Sequence, residues 1–230
     1  RPWIIWVLGL SYLIIDIALF SANAIKFLHG AWVPVLLGLI VFTIMRTWRH
    51  GRDLVRGQIN RDSLRIEHFV KSIMVDPPVR VQGTAIFMTP SNDYLPPSLL
   101  HNLKHNKVLH EHNVILTVIT ADTPRVPEEE RVRITPLSKH FSRVSLKFGY
   151  MEQPNVPKGL AIARKHGWQF DIMSTSFFLS RRSLRPSAQS GMPAWQDHLF
   201  IWLARSASDA TYFFQIPTGR VVEVGTQVTV

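Results

Sequence analysis

Asp16 is the only charged residue between Pro2 and Ile25. An ionisable side chain inside an apolar run is costly and marks a functional site by default. Gly9, Tyr12, Phe20 and Asn23 fall on the same side of a helix as Asp16. Four of these five positions are small or polar, so one stripe of that helix faces protein or water rather than lipid. Two chemistries fit. Asp16, with Tyr12 one turn away, can serve a cation or proton pathway, or its carboxylate can be structural and hydrogen-bonded to a neighbouring helix. Three further clusters hold reactive side chains. His101 and His105 stand four apart on a predicted helix, with His110 and His112 beyond, and two such histidines can hold a metal. Lys104 and Lys107 are interleaved and no zincin pattern surrounds the pair, so the stretch reads as a solvated basic helix end. Arg181, Arg182 and Arg185 follow a predicted strand end. They could meet a phosphate at the carboxyl edge of an α/β sheet, but they read as an exposed loop. Glu128, Glu129 and Glu130 read as a solvated turn.

The elements that carry Asp16 come from the apolar pattern. Pro2–Ile25 is long enough to cross a bilayer. Ala31–Met45 has no charge, and it reaches about 17 residues if Trp32 and Trp48 mark its interfaces. A signal peptide is excluded, because the first apolar stretch is too long and a second follows at once. Two spans, about 3–25 and 31–48, therefore form a helical hairpin (residues 1–48) around a turn at Lys26–Gly30. The start at Arg1, without a methionine, leads to the expectation of a fragment of a longer membrane protein. Gly30, Pro34 and Gly38 lie four apart, a spacing for close helix packing.

Orientation follows from charge. Arg46, Arg49, Arg52, Arg56, Arg61 and Arg65 cluster at the exit of the second span, against Asp53 and Asp62. The positive-inside rule makes this end cytoplasmic. Arg46, Arg49, Arg52 and Arg56 have helical spacing and form a basic face suited to anionic lipid head groups. Residues 49–65 read as a basic juxtamembrane linker helix. The net charge of the 230 residues is +10, of which +8 lies after residue 48. Nucleic acid is disfavoured as the partner, because no stacking aromatics accompany these arginines. Zero cysteines exclude a disulfide scaffold, Cys-ligated zinc and a thiol nucleophile.

Residues 66–230 read as a cytoplasmic α/β domain. Ile66, Phe69, Val70, Ile73 and Met74 have helical period after Asp62 and Ser63 as cap candidates, and Asp76-Pro77-Pro78 stops that helix. Val81–Met88 and Asn113–Thr120 read as strands, with a helix over Pro96–Asn106 between them. Arg131–Pro136 and Ser142–Tyr150 read as two strands with no helix between, so the sheet is mixed. Asn155 caps a helix with Pro157 in its first turn and Gly167 at its end. Phe170–Ser180 and Arg220–Val230 read as strands. Pro193–Ala207 reads as an amphipathic helix carrying Trp195, Leu199, Ile201, Trp202 and Leu203. No phosphate loop, dinucleotide fingerprint or nucleophile elbow is present, so nothing supports an enzyme.

Several long stretches resemble the bacterial KUP-type potassium uptake transporters. They are Tyr12–Arg52, Pro96–Glu111, Val144–Leu160 (VSLKFGYMEQPNVPKGL), Thr175–Leu184 (TSFFLSRRSL) and Arg220–Val230 (RVVEVGTQVTV). They occur in the family's order and cover nearly the whole chain. The resemblance implies the C-terminal part of such a transporter: the last two spans and a regulatory or dimerising cytoplasmic domain. It implies potassium:proton symport at the inner membrane, with residues 49–230 cytoplasmic, K+ and H+ as transported ions and no cofactor or metal. The implied partners are lipids, the remaining transmembrane helices and a second copy through the cytoplasmic domain, and not nucleic acid. The family pattern has an acid at the place of Asp16. Some relatives are regulated by a cyclic dinucleotide, which no motif here assigns. The alternative expectation is a membrane-anchored nucleotide- or ligand-sensing module.

Overall fold

The computed structural model describes every residue except 1, 31, 63, 165–167, 169–170, 187–190, 207–209 and 230, and every described side chain except those of 2, 28, 29, 59–62 and 229. The cap candidate Ser63, the helix end at Gly167 and the strand start at Phe170 therefore lie outside the described residues. The chain divides into two compact units, Arg1–His50 and Gly51–Val230.

The first unit is helical. Helix α1 spans Pro2–Ile25, a 3-10 turn covers Lys26–His29, and helix α2 begins at Trp32 and ends at Asp62. Gly30 closes the turn in the left-handed region with φ +118°. Trp3–Ile25 and Trp32–Gln58 are long and apolar enough to cross a membrane. Along α1 every described side chain is exposed, from Trp3 (60%) to Ile25 (71%). An apolar helix with no protein over it needs lipid or further helices around it. Its short polar side chains turn back onto the helix: the Ser21 hydroxyl donates to the Ile17 carbonyl at 2.7 Å and the Asn23 amide to that of Leu19 at 3.0 Å. This satisfies polar groups where water is absent.

The second unit is built on a six-stranded mixed sheet in the order β3-β4-β2-β1-β5-β6. Its strands are β1 (Val79–Met88), β2 (Val108–Ala121), β3 (Val132–Ser138), β4 (Phe141–Gly149), β5 (Thr175–Arg185) and β6 (Val221–Thr229). β1 pairs in parallel with β2 and β5, β2 with β4 and β5 with β6, whereas β3 and β4 form an antiparallel hairpin. Alternation along the central strands divides the core in two. Ile86, Val114, Leu116 and Phe177 go to one cluster with Leu160 of helix α6 (Val156–Ala163). Ala85, Phe87, Ile115 and Phe178 go to the other with Ile66, Phe69 and Leu99 of helices α3 (Ile66–Val75) and α4 (Pro97–Asn106). Helices therefore cover both faces, as parallel strands require. The remaining α-helices among the described residues are α5 (Glu128–Arg131), α7 (Ala194–Arg205) and α8 (Ala210–Phe213).

Local chemistry sets several boundaries. Pro97 starts α4, and Lys107 ends it in the left-handed region with φ 57°. The Asn155 side chain accepts from the Lys158 N–H at 2.8 Å and caps α6. β1 is irregular between Val81 and Thr84, where Gly83 takes φ +105° and a Cβ would come within 2.7 Å of the Ser174 carbonyl oxygen.

The structure corrects some sequence expectations. β2 starts at Val108 instead of Asn113, because Val79–Val81 supply partners for Val108–His110. Asn113 is buried inside it, its amide donating to the His110 carbonyl at 2.7 Å. The fourth parallel strand runs Thr175–Arg185, not Phe170–Ser180, because β6 continues to pair as far as Thr229. Glu128–Glu130 sit in a helical turn rather than a plain one. Met74 is 63% exposed and faces away from the α3 core.

A charged network closes the carboxyl ends of β2 and β4. Arg131 donates to Glu152 Oε1 at 2.5 Å and to the Val126 carbonyl at 2.6 Å, and its guanidinium lies 5.0 Å from the Phe148 ring centre. Glu152 Oε2 accepts the Gly149 and Val126 N–H groups at 2.6 and 3.3 Å. Desolvation alone would raise the Glu152 pKa. The hydrogen bonds from Arg131, Gly149 and Val126, with the Arg131 charge, outweigh it and hold the carboxyl below its ordinary value. A depressed folded-state pKa means stability that is present above the unfolded-state pKa and lost as pH falls through the folded one. Glu152→Gln is expected to cost about 1 kcal/mol at neutral pH, the low end for charge-assisted bonds because the pair sits at the rim of the domain. Urea unfolding of the chain in detergent, followed by circular dichroism, should show the gap between variant and parent closing as pH drops below the carboxylate range. A gap that is independent of pH would refute the assignment.

Candidate functional site

Two surfaces gather the side chains singled out by sequence. The first is on α1. At 100° per residue, Gly9, Tyr12, Phe20 and Asn23 all fall within about 40° of Asp16. Tyr12 is 67% exposed and Asp16 is exposed beside it. A carboxylate and a phenol one turn apart on an otherwise apolar helix can coordinate a cation or pass a proton once neighbouring helices exclude water.

The second surface is on α2. Arg46, Arg49, Arg52 and Arg56 are all exposed and fall within about 120° of arc. Asp53 lies inside that arc, so the stripe is basic but not purely so. Gly51 and Val55 are buried and Leu54 half-buried on the other side. There the helix packs into its own unit: a Cβ on Gly51 would come within 2.5 Å of the Phe200 ring. The side chain of Arg61 lies outside the described residues. Arg65 lies past the end of α2, in an isolated bridge with Tyr94.

The four histidines are not gathered into one site. The rings of His101 and His105 stack at 5.6 Å on α4, while His110 and His112 lie on β2. His110 packs edge-on against Phe178 at 5.9 Å, and burial pushes its pKa down. Among the described residues no three His, Cys, Asp or Glu side chains are placed to hold a metal.

Arg181, Arg182 and Arg185 are on β5 itself, not on a loop after it. Arg181 pairs with Glu223 across the β5–β6 ladder at 3.1 Å. Arg181 and Arg182 line a cleft of about 780 Å³ with Ser180, Ser183, Glu223 and Arg205. The cleft was not legible in the sequence, because Arg205 lies on α7, some twenty residues away. The arginine-rich strand end was its one signal.

Comparison with known proteins decides the family. Residues 82–230 match the model of the K+ potassium transporter C-terminal domain, and residues 1–53 match that of the K+ potassium transporter integral membrane domain. The chain belongs to the K+ potassium transporter family. It is 60% identical over 221 residues to "Probable potassium transport system protein Kup 1" of Bradyrhizobium diazoefficiens, covering 96% of this chain and 34% of that protein. It is 58% identical over 230 residues to a Kup 2 protein of Rhodopseudomonas palustris (100% and 36%) and 60% identical over 217 residues to a Kup protein of Nitrobacter hamburgensis (94% and 33%). The chain thus spans about a third of the length of the curated relatives it matches. No solved structure matches it. In this potassium transporter family, α1 and α2 as far as Asp53 fall in the membrane domain, and the sheet from Gln82 onward falls in the C-terminal domain.

Proposed function

We propose that this chain is part of a potassium transporter, completing the ion pathway with α1 and α2 and carrying a cytoplasmic regulatory or dimerising domain. The observation that carries this reading is that both family models match in order along one chain, membrane domain first and C-terminal domain second. Kup proteins named for potassium transport supply the ion. Proton coupling is the finer part of the proposal. It draws on Asp16, the one carboxylate within α1, with Tyr12 one turn away. The excess of arginine after the second span supports a cytoplasmic side for residues 49–230 at the inner membrane. Arg46, Arg49, Arg52 and Arg56 then face anionic head groups.

A second reading is a membrane-anchored sensor for a nucleotide or other anionic ligand, with the cleft between Arg181, Arg182 and Arg205 as its site. A concave surface lined by arginine residues suits a phosphate, although Arg181 is paired with Glu223.

Three experiments test these readings. In the full-length transporter, Asp16→Asn should lower rubidium uptake roughly ten-fold at equal expression, as expected for an ionisable group in an intramembrane pathway. Uptake at the parental rate would remove Asp16 from the pathway. Replacing Arg49, Arg52 and Arg56 with Gln should reduce the number of phosphatidylglycerol molecules retained in native mass spectrometry, each arginine contributing about 1 kcal/mol near an anionic surface; equal retention would sink the lipid contact. Calorimetry of the chain in nanodiscs should show heat on adding nucleotides only if the sensor reading holds, and Arg205→Ala should abolish that heat.

A further inference from the structure

Strand β6 ends the sheet at one edge, paired with β5 alone. An edge strand presents a row of unpaired N–H and C=O groups, and proteins blunt such edges with proline, lysine or a bulge, or cover them. The opposite edge is blunted in this way: β3 carries Pro136, and its register is irregular between Pro136 and Ser138. β6 has none of these devices. Val221–Thr229 contains no proline and no lysine. Its pairing with β5 runs without a break from Phe177 and Val221 to Arg185 and Thr229. Among the described residues no strand lies on its outer side, and Val222, Glu223, Gly225 and Gln227 are exposed.

The residues of β6 are complementary to a second β6. A two-fold axis normal to the sheet sets two copies of the strand antiparallel and keeps each residue on its own face. Centred on Gly225, the midpoint of Val221–Thr229, that axis pairs all nine residues of the strand. Val222 is in register with Phe178, on the face covered by α4. On that face Val222 lies opposite Val228, and Val224 opposite Thr226. All four are β-branched, the kind of side chain that packs well across strands. On the other face the one charge of the strand, Glu223, lies opposite Gln227 and not opposite its own copy, where two carboxylates would repel. At the axis Gly225 meets Gly225. A Cβ added there has nothing within 4 Å, so no side chain of the same chain occupies the centre of the edge.

We propose that β6 pairs antiparallel with β6 of a second copy about a two-fold axis at Gly225, joining two six-stranded sheets into one continuous sheet. The inference rests on the dimerising role read for the C-terminal domain, and it names the surface that performs it.

The test uses the full-length transporter with any cysteine outside this stretch replaced by serine; the stretch itself has none. Membranes are oxidised with copper phenanthroline, and covalent dimer is read on a non-reducing gel. Gly225→Cys sets two sulfurs across the axis, where opposed Cα atoms are about 4.5–5.5 Å apart and within disulfide reach. A band at twice the mass is expected. Val222 and its own copy lie six positions apart along the ladder, roughly 20 Å, as do the two copies of Val228. Val222→Cys and Val228→Cys should therefore each give no dimer band alone and a dimer band when coexpressed. Positions 225 and 222 fall in alternate kinds of antiparallel pair, so one of the two sites has the closer spacing. Without oxidant, Val222→Lys with Val228→Lys puts lysine opposite lysine and should shift the parent dimer to monomer in size-exclusion chromatography with light scattering. Val222→Lys with Val228→Glu puts lysine opposite glutamate and should restore the dimer, which separates lost pairing from lost folding. A dimeric parent that cross-links neither at 225 nor between 222 and 228 overturns the β6 pairing and leaves the dimerising reading standing. Cross-linking of Val222→Cys alone as readily as of Gly225→Cys also overturns the pairing, because it marks random collision. A monomeric parent overturns both.

Discussion

The central strands β1 and β2 are apolar on both faces, and the fold of the C-terminal unit follows from covering them. Ile86 and Phe87 are neighbours in sequence, both fully buried, and point into different clusters. A strand of this kind cannot lie at a water-facing surface. The chain therefore has to supply helices on both sides, with α6 on one and α3 and α4 on the other. Parallel pairing needs crossover connections, and α4 is the connection from β1 to β2. The hairpin of β3 and β4 ends one edge of the sheet, and the outer pair β5 and β6 ends the other. The arginine-lined cleft lies at that second edge, along the carboxyl half of β5 and the amino half of β6.

The apolar helices answer a different solvent. In the C-terminal unit, burial is achieved by side chains from other elements. In α1 it is left to whatever surrounds the helix, and the short hydroxyls and amide fold back on their own backbone to avoid unpaired groups. α2 spans both regimes. Its first half is apolar on all sides. Its second half is two-sided, with arginines outward and Gly51 and Val55 inward.

Periodicity made most of this legible. Apolar spacing gave α1, α2, α3 and the strands of β-branched residues, and Asn155 and Pro97 announced their helices by capping chemistry. Three features were out of reach for physical reasons. β5 is placed by its partner: Arg181–Arg185 are strand because β6 runs beside them, and nothing in their own side chains requires it. Glu152 and Arg131 are twenty-one residues apart, and their network exists only once β3 and β4 have paired. The apolar residues of α7 announced an amphipathic helix, yet the rings that look most like core, Trp195 and Trp202, are outside, while Phe200 is inside. At the candidate site, the polar stripe around Asp16 could be read directly. Its role depends on what packs around α1, whose described side chains are all exposed.

Gly51 and Phe200 meet with no space for a single added carbon. A Cβ at position 51 therefore requires the Phe200 ring to shift. A smaller residue at 200 would relieve that overlap, and a smaller residue there beside Gly51 would leave a void. The two positions form one packing unit, so that an added side chain at position 51 of α2 is met 149 residues later in the stretch that the C-terminal domain model matches.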